Sequence, residues 1–177
     1  MEIEFELLEE DYINFNLDHA NSSASVKKSL ILQRILGPLV FLIATLALGT
    51  FSEIPVWYWI TIFSIMSVIW LVFYPNYFNW EMGRNIKKML KEGNNKNLLQ
   101  KRKIFLTDEA IIETSTASET KTPWSDVNKV EETSEYIYIY NSSISAYIIP
   151  KRVLGNQNKI NTFLEELYKY LPSSMRQ

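Results

Sequence analysis

Two stretches without a charged residue constrain this chain more than any other feature. Ile35–Ser52 is 18 residues long and Ile54–Trp80 is 27, with only Glu53 between them. Apolar helices buried in a soluble core rarely exceed about 14 residues, whereas about 17–25 cross roughly 30 Å of hydrocarbon. At about 1.5 Å per residue the two runs reach about 27 Å and 40 Å. The first is just long enough to span, and the second must tilt or carry interfacial ends. The pattern therefore predicts a two-helix transmembrane hairpin over residues 31–82. The first run is not expected to be a signal peptide, because 34 mostly polar residues precede it and the acidic start lacks a basic leader region.

Aromatic residues supply an independent ruler. Trp57, Tyr58 and Trp59 lie at one end of the second run, and Tyr74, Tyr77, Phe78 and Trp80 lie at the other. Tyr58 to Tyr77 corresponds to about 28 Å of helix, close to the spacing of two interfacial aromatic belts. The link Ser52-Glu53-Ile54-Pro55 carries no Lys or Arg. Lys27, Lys28 and Arg34 precede the hairpin, and Arg84, Lys87, Lys88 and Lys91 follow it. Basic residues flank membrane helices on the cytoplasmic side, so both termini are expected in the cytoplasm. Within the hairpin, Thr45, Gly49, Ser64 and Ser67 are small or hydroxylated and let helix backbones approach closely. Packing inside one hairpin is the plainer use for them, and a homo-oligomer interface is the alternative. Neither run contains an ionisable side chain, which disfavours an ion path or proton relay.

Composition narrows the chemistry. There is no Cys and one His, which excludes disulfides, thiolate metal sites and thiol nucleophiles and disfavours His-based relays. The net charge of -2 conceals a dipolar layout. Residues 1–18 carry seven acidic groups and no basic one, while residues 84–103 carry eight basic groups and one acidic.

After the hairpin the sequence reads as strands and one helix. The predicted strands are Lys103–Thr107, Ala110–Thr114, Thr120–Trp124, Val127–Glu131, Tyr136–Tyr140, which alternates cleanly, and Ile144–Ile149. Ile160, Phe163, Leu164, Leu167, Tyr168 and Leu171 then mark one face of an amphipathic helix, with Pro172 just past its end. At the N-terminus, Ile3, Phe5 and Leu7 alternate with Glu2, Glu4 and Glu6, giving a strand with one apolar and one acidic face. Leu8–Ala20 suits a short helix with Tyr12 and Phe15 inward and Ile13 beside them. The acidic strand is expected to pair beside Lys101-Arg102-Lys103. Seven strands and a C-terminal helix are the element count of a pleckstrin-homology-like (PH-like) barrel, its first strand supplied by the N-terminus. The expected fold is thus a membrane α-helical hairpin plus an α+β unit. Its parts are residues 1–30 as N-terminal strand and helix, 31–82 as hairpin, and 83–177 as cytoplasmic domain.

The order of several short motifs resembles the YcxB-like family of bacterial membrane proteins. These are Leu8-Glu9-Glu10-Asp11-Tyr12 reaching His19, two hydrophobic helices, Trp124-Ser125-Asp126-Val127, and Ile149-Pro150-Lys151-Arg152 before an amphipathic helix. The resemblance implies a two-helix anchor bearing a cytoplasmic PH-like domain, and it brings no catalytic site with it.

No residue is assigned a catalytic, cofactor-binding or metal-binding role. His19 lacks a nucleophile and an orienting carboxylate and is expected to cap or pack at a helix end. Glu9-Glu10-Asp11 and Glu131-Glu132 show no ligand loop or convergent spacing, so solvated surface is expected. There is no Walker motif, nucleophile elbow or zincin helix. Lys151, Arg152 and Trp124 form the candidate binding surface; exposed loop charge and a core-plugging Trp are the plainer alternatives. Arg84, Lys87, Lys88, Lys91 and Lys96 are the candidate contacts to anionic lipid, each contributing about 1 kcal/mol near an anionic surface. Nucleic acid is not an expected partner, since no aromatic stacking platform accompanies these cations. The functional expectation is a non-catalytic inner-membrane protein presenting a binding module to a protein partner or lipid headgroups. The alternatives are an immunity protein against a toxin and, further off, an enzyme with a carboxylate site.

Overall fold

The acidic, alternating N-terminus forms the first strand, Glu2–Glu6 (β1), followed by helix Glu9–Ser22 (α1). The computed structural model describes residues 1–92, 95, 98–115 and 118–172. Lys96, one of the predicted lipid-contacting cations, lies outside these residues. Helices Ala24–Phe51 (α2) and Val56–Lys91 (α3) follow, then strands Lys101–Leu106 (β2), Ala110–Ser115 (β3), Glu119–Pro123 (β4), Lys129–Glu132 (β5), Tyr136–Tyr140 (β6) and Ala146–Pro150 (β7). Helices Lys151–Leu154 (α4) and Gln157–Lys169 (α5) close the chain. The fold divides into two units, Leu17–Ile86 and Met1–Asn16 together with the chain from Lys87 on.

In the Leu17–Ile86 unit, α2 and α3 are long and apolar enough to cross a membrane. Both overrun the apolar stretches, α2 starting before Ile35 and α3 continuing past Trp80. Hydropathy marks only the part of a helix that tolerates hydrocarbon, and Lys, Arg and Gln extend a helix readily. Small residues stand where the two helices approach each other. Thr45 is buried and returns its hydroxyl to the Phe41 carbonyl at 2.9 Å. A Cβ on Gly49 would sit 3.1 Å from Val56, and one on Gly37 would strike the Trp70 ring. Phe41 and Phe63 stack at 5.9 Å, and the Trp59 indole N–H donates to Ser52 Oγ at 2.9 Å across the connecting turn. Both helices contain a proline. Pro75 has no N–H for the carbonyl of Leu71 four residues back. Arg34 Nε of α2 donates to that carbonyl instead, at 2.7 Å.

In the other unit, the four-stranded sheet runs β1-β2-β3-β4 and the three-stranded sheet β5-β6-β7, every pair antiparallel. β1 pairs with β2 in the register Glu4↔Lys103 and Glu6↔Lys101, which realises the predicted acidic–basic pairing. Lys103 Nζ lies 3.4 Å from Glu2 and 3.2 Å from Glu4, and these carboxylates raise its pKa. Such exposed pairs contribute little stability. They serve register, because a slip of one residue would turn Phe5 to solvent and a glutamate to the core. Phe5 and Leu7 are buried in a core shared with Ile104, Ile111, Val130, the β6 residues, Phe163 and Leu167.

Two expectations, the closed barrel and the strand bounds around Trp124, require correction. The sheets share no strand ladder among the described residues, so the predicted barrel is not closed. Strand β4 ends at Pro123, which has no N–H to donate, and Trp124–Asp126 forms a 3-10 turn where the prediction ran strands through Trp124 and from Val127. Tyr136–Tyr140 alternates cleanly in sequence, and all five of its residues are buried. The tyrosine face is covered by α1: the Phe15 ring lies 5.3 Å from that of Tyr138 and 6.0 Å from that of Tyr140.

Candidate functional site: a buried carboxylate clamp

The most concentrated polar chemistry in the sheet-containing unit surrounds Asp11, in the first turn of α1. Asp11 is 1% exposed, so the expectation that Glu9-Glu10-Asp11 is solvated surface is wrong for its third member. The cause is local. Asp11 Oδ2 accepts the Leu8 backbone N–H at 2.7 Å, the reach-back half of a capping box that satisfies an otherwise orphaned helix-start donor. That contact turns the carboxylate toward β6 and α4.

There, Arg152 donates two hydrogen bonds of 2.5 Å, Nη1 to Oδ1 and Nη2 to Oδ2. Tyr136 Oη donates to Oδ1 at 3.1 Å, and Asn14 Nδ2 donates to Tyr136 Oη at 2.9 Å. An ionised carboxylate has about four lone-pair sites, and all are occupied. Asp11 is thus equipped to hold α1 to β6 and α4 as a clamp, and has no free lone pair with which to act as a base. Burial disfavours its charge, but the hydrogen bonds from Arg152 and the Leu8 N–H outweigh it, and its pKa lies below the ordinary carboxylate value. The same pairing raises the pKa of Arg152, while burial raises that of Tyr136. The clamp borders a cleft of about 380 Å³ lined also by Glu10, Ser134, Glu135 and Lys151.

The pH dependence follows from the sign of the shift. A carboxylate depressed in the folded state stabilises the fold fully above its unfolded value, here 3.8, and less as pH falls through the folded value. The unfolding midpoint of the detergent-solubilised protein should therefore decline below about pH 4, and Asp11→Asn should flatten part of that decline. An equally steep decline in the variant would show that other carboxylates carry it.

The structure puts the predicted surface residues to internal use. Lys151 Nζ donates to Glu132 Oε1 and to the Thr133 carbonyl, each at 2.6 Å. Arg152 is committed to Asp11, although its side chain remains 44% exposed. Trp124 does not join them. Its indole N–H donates to the Thr107 carbonyl at 2.9 Å, and its ring stacks on Tyr170 at 4.8 Å. Tyr170 donates to Asp108 at 2.8 Å, and that hydrogen bond, with burial, pushes its pKa up to about 12. Lys151 and Arg152 follow Pro150 as α4, a short helix that the sequence does not predict; Gly155, at φ 89°, separates it from α5.

The basic residues after the hairpin are of two kinds. Arg84 pairs with Glu81 at 2.6 Å and lies 4.6 Å from the centre of the Trp80 ring, and Lys87 reaches Glu9 at 3.4 Å. Lys88 and Lys91 pair with no carboxylate among the described residues. His19 occupies the last turn of α1. Glu131 pairs with Lys129 at 2.9 Å.

Two of the motifs that carry the family resemblance, Trp124–Val127 and Ile149–Arg152, thus lie at the Trp124 turn and the Asp11 clamp. No curated protein and no solved structure matches the chain. Residues 106–167, from the end of β2 through most of α5, match the family model described as YcxB-like protein, which supports the resemblance to that family.

Proposed function

We infer that the chain is an integral membrane protein of non-catalytic role. In this reading α2 and α3 anchor a PH-like module of two sheets and a closing helix in the cytoplasm. The module serves a protein partner or lipid headgroups. The observation that carries the reading is the apolar surface of the two helices. Leu32, Leu36, Leu39, Ile43, Leu46, Ile65, Val68, Val72 and Phe73 are all exposed within one hairpin. Water-soluble monomers rarely expose a contiguous apolar patch larger than a few hundred Å², whereas such a surface suits hydrocarbon. Tethering also raises the effective concentration of the module at the membrane, so a weak binding surface suffices. Among the described residues, the predicted lipid contacts Lys88 and Lys91 are free of carboxylate pairing and suited to meet an anionic surface. The test is extraction of membranes with alkaline carbonate: the full chain should stay in the pellet and leave only with detergent. Release into the supernatant would end the anchor reading.

A further inference from the structure

The Arg34 guanidinium in the hairpin unit has a role that its place in the topology pattern does not explain. Among the described residues only its Nε is used, on the Leu71 carbonyl that Pro75 leaves unpaired. Arg34 pairs with no carboxylate among the described residues, so the N–H groups of both terminal nitrogens, Nη1 and Nη2, remain to be satisfied. The bond to a backbone carbonyl fixes the plane of the guanidinium without neutralising it.

Along α3 runs a groove of about 510 Å³ lined by Phe41, Ile69, Trp70 (the residue before Leu71), Phe73, Tyr74 and Tyr77, among others. Its lining is almost wholly apolar, and its upper wall is aromatic, with Trp70 and Tyr74 stacked at 5.0 Å. Tyr74 ties the groove to the segment that carries the cation, since its hydroxyl donates to Gln33, the residue before Arg34. The groove thus begins at the basic, aromatic end of the hairpin and descends along the apolar one. Tyr and Trp at such a level mark the headgroup region of a bilayer, and Arg is the side chain best shaped to give a phosphate two parallel hydrogen bonds.

We propose that Arg34 and the Phe41–Tyr77 groove form a binding site for one anionic phospholipid, with the phosphate on the outer edge of the guanidinium and an acyl chain along the groove. The site lies within the hairpin unit. It rests on the reading of α2 and α3 as membrane helices. Charge complementarity selects the phosphate, and the apolar lining selects a ligand that carries hydrocarbon rather than free phosphate.

The test is native mass spectrometry of the full chain released from nanodiscs of phosphatidylglycerol, run beside carbonate extraction of the same proteins. Wild type should retain one phosphatidylglycerol. Arg34→Gln should lower retention about fivefold, the factor equivalent to about 1 kcal/mol per basic residue at an anionic surface. Ile69→Trp, which fills the groove and leaves Arg34 and its carbonyl bond in place, should lower it at least as much. Diacylglycerol, which has the chains without the phosphate, should not be retained. Equal retention of diacylglycerol, or unchanged retention in either variant, would overturn the site. So would a membrane-embedded wild type that carries no phospholipid, with the anchor reading left standing. Wild type washed out by carbonate would overturn the anchor and the site with it.

Discussion

Arg152→Ala is expected to destabilise the sheet-containing unit by about 3 kcal/mol, because it strands a buried carboxylate. The cost falls on Asp11 rather than on the arginine. Arg152 is partly exposed and can be solvated if its partner is removed. Asp11 is 1% exposed and, without the guanidinium, keeps only the Leu8 N–H and the Tyr136 hydroxyl as donors. Removing one partner of a buried pair commonly costs about 3–5 kcal/mol, and the exposed side of Arg152 places this pair near the lower bound. The double substitution Asp11→Leu with Arg152→Met should recover much of the loss, since it removes both charges together. Urea denaturation in detergent, followed by tyrosine and tryptophan fluorescence, measures both. A single variant as stable as wild type would mean that the clamp is not formed.

Deleting residues 1–8 should have a larger effect. The deletion removes the buried Phe5 and Leu7, and truncating side chains of these types costs about 2–5 kcal/mol each. It also exposes the edge of β2 and removes the backbone amide that caps Asp11. The sum reaches the total stability of an ordinary domain, about 5–15 kcal/mol. The shortened chain should still enter membranes, but the region from β2 to α5 should be cut rapidly by a protease that spares wild type. Equal protease resistance would show that β1 is dispensable and that the region after the hairpin folds by itself.

Much of this arrangement is legible in the sequence because its signals are periodic. Glu2–Leu7 alternates strictly, the hairpin runs are uninterrupted, and Ile160–Leu171 keeps a helical stripe, so each element announces its buried face. The charge contrast between the start of the chain and Lys101-Arg102-Lys103 even identifies the partner strand. Local composition is silent where a polar residue is used inside the fold. Asp11 looks like one of three solvated acids, and only the capping geometry at Leu8 and the distant Arg152 decide that it is buried. Lys151 and Arg152 read as free surface charge for the same reason: their acceptors, Glu132, Thr133 and Asp11, come from elsewhere in the chain. Barrel closure is likewise a long-range matter. Counting strands gives seven, but Pro123 and the turn at Trp124 decide that the ladder stops between β4 and β5. The apolar strand β6 gives no hint of which elements cover its two faces. In the hairpin, Pro75 and Arg34 are visible separately, and their partnership emerges only when α2 lies beside α3.

The proposed anchor, the lipid site and the cytoplasmic module all depend on α2 and α3 crossing a membrane as a hairpin, with both polar ends of the chain on the cytoplasmic side. Fusing alkaline phosphatase, which is active only outside the cytoplasm, at Glu53 and at the C-terminus tests this topology. An active enzyme is expected at Glu53 and an inactive one at the C-terminus. Activity at the C-terminus, or inactivity at Glu53 in a fusion that accumulates normally, would refute it.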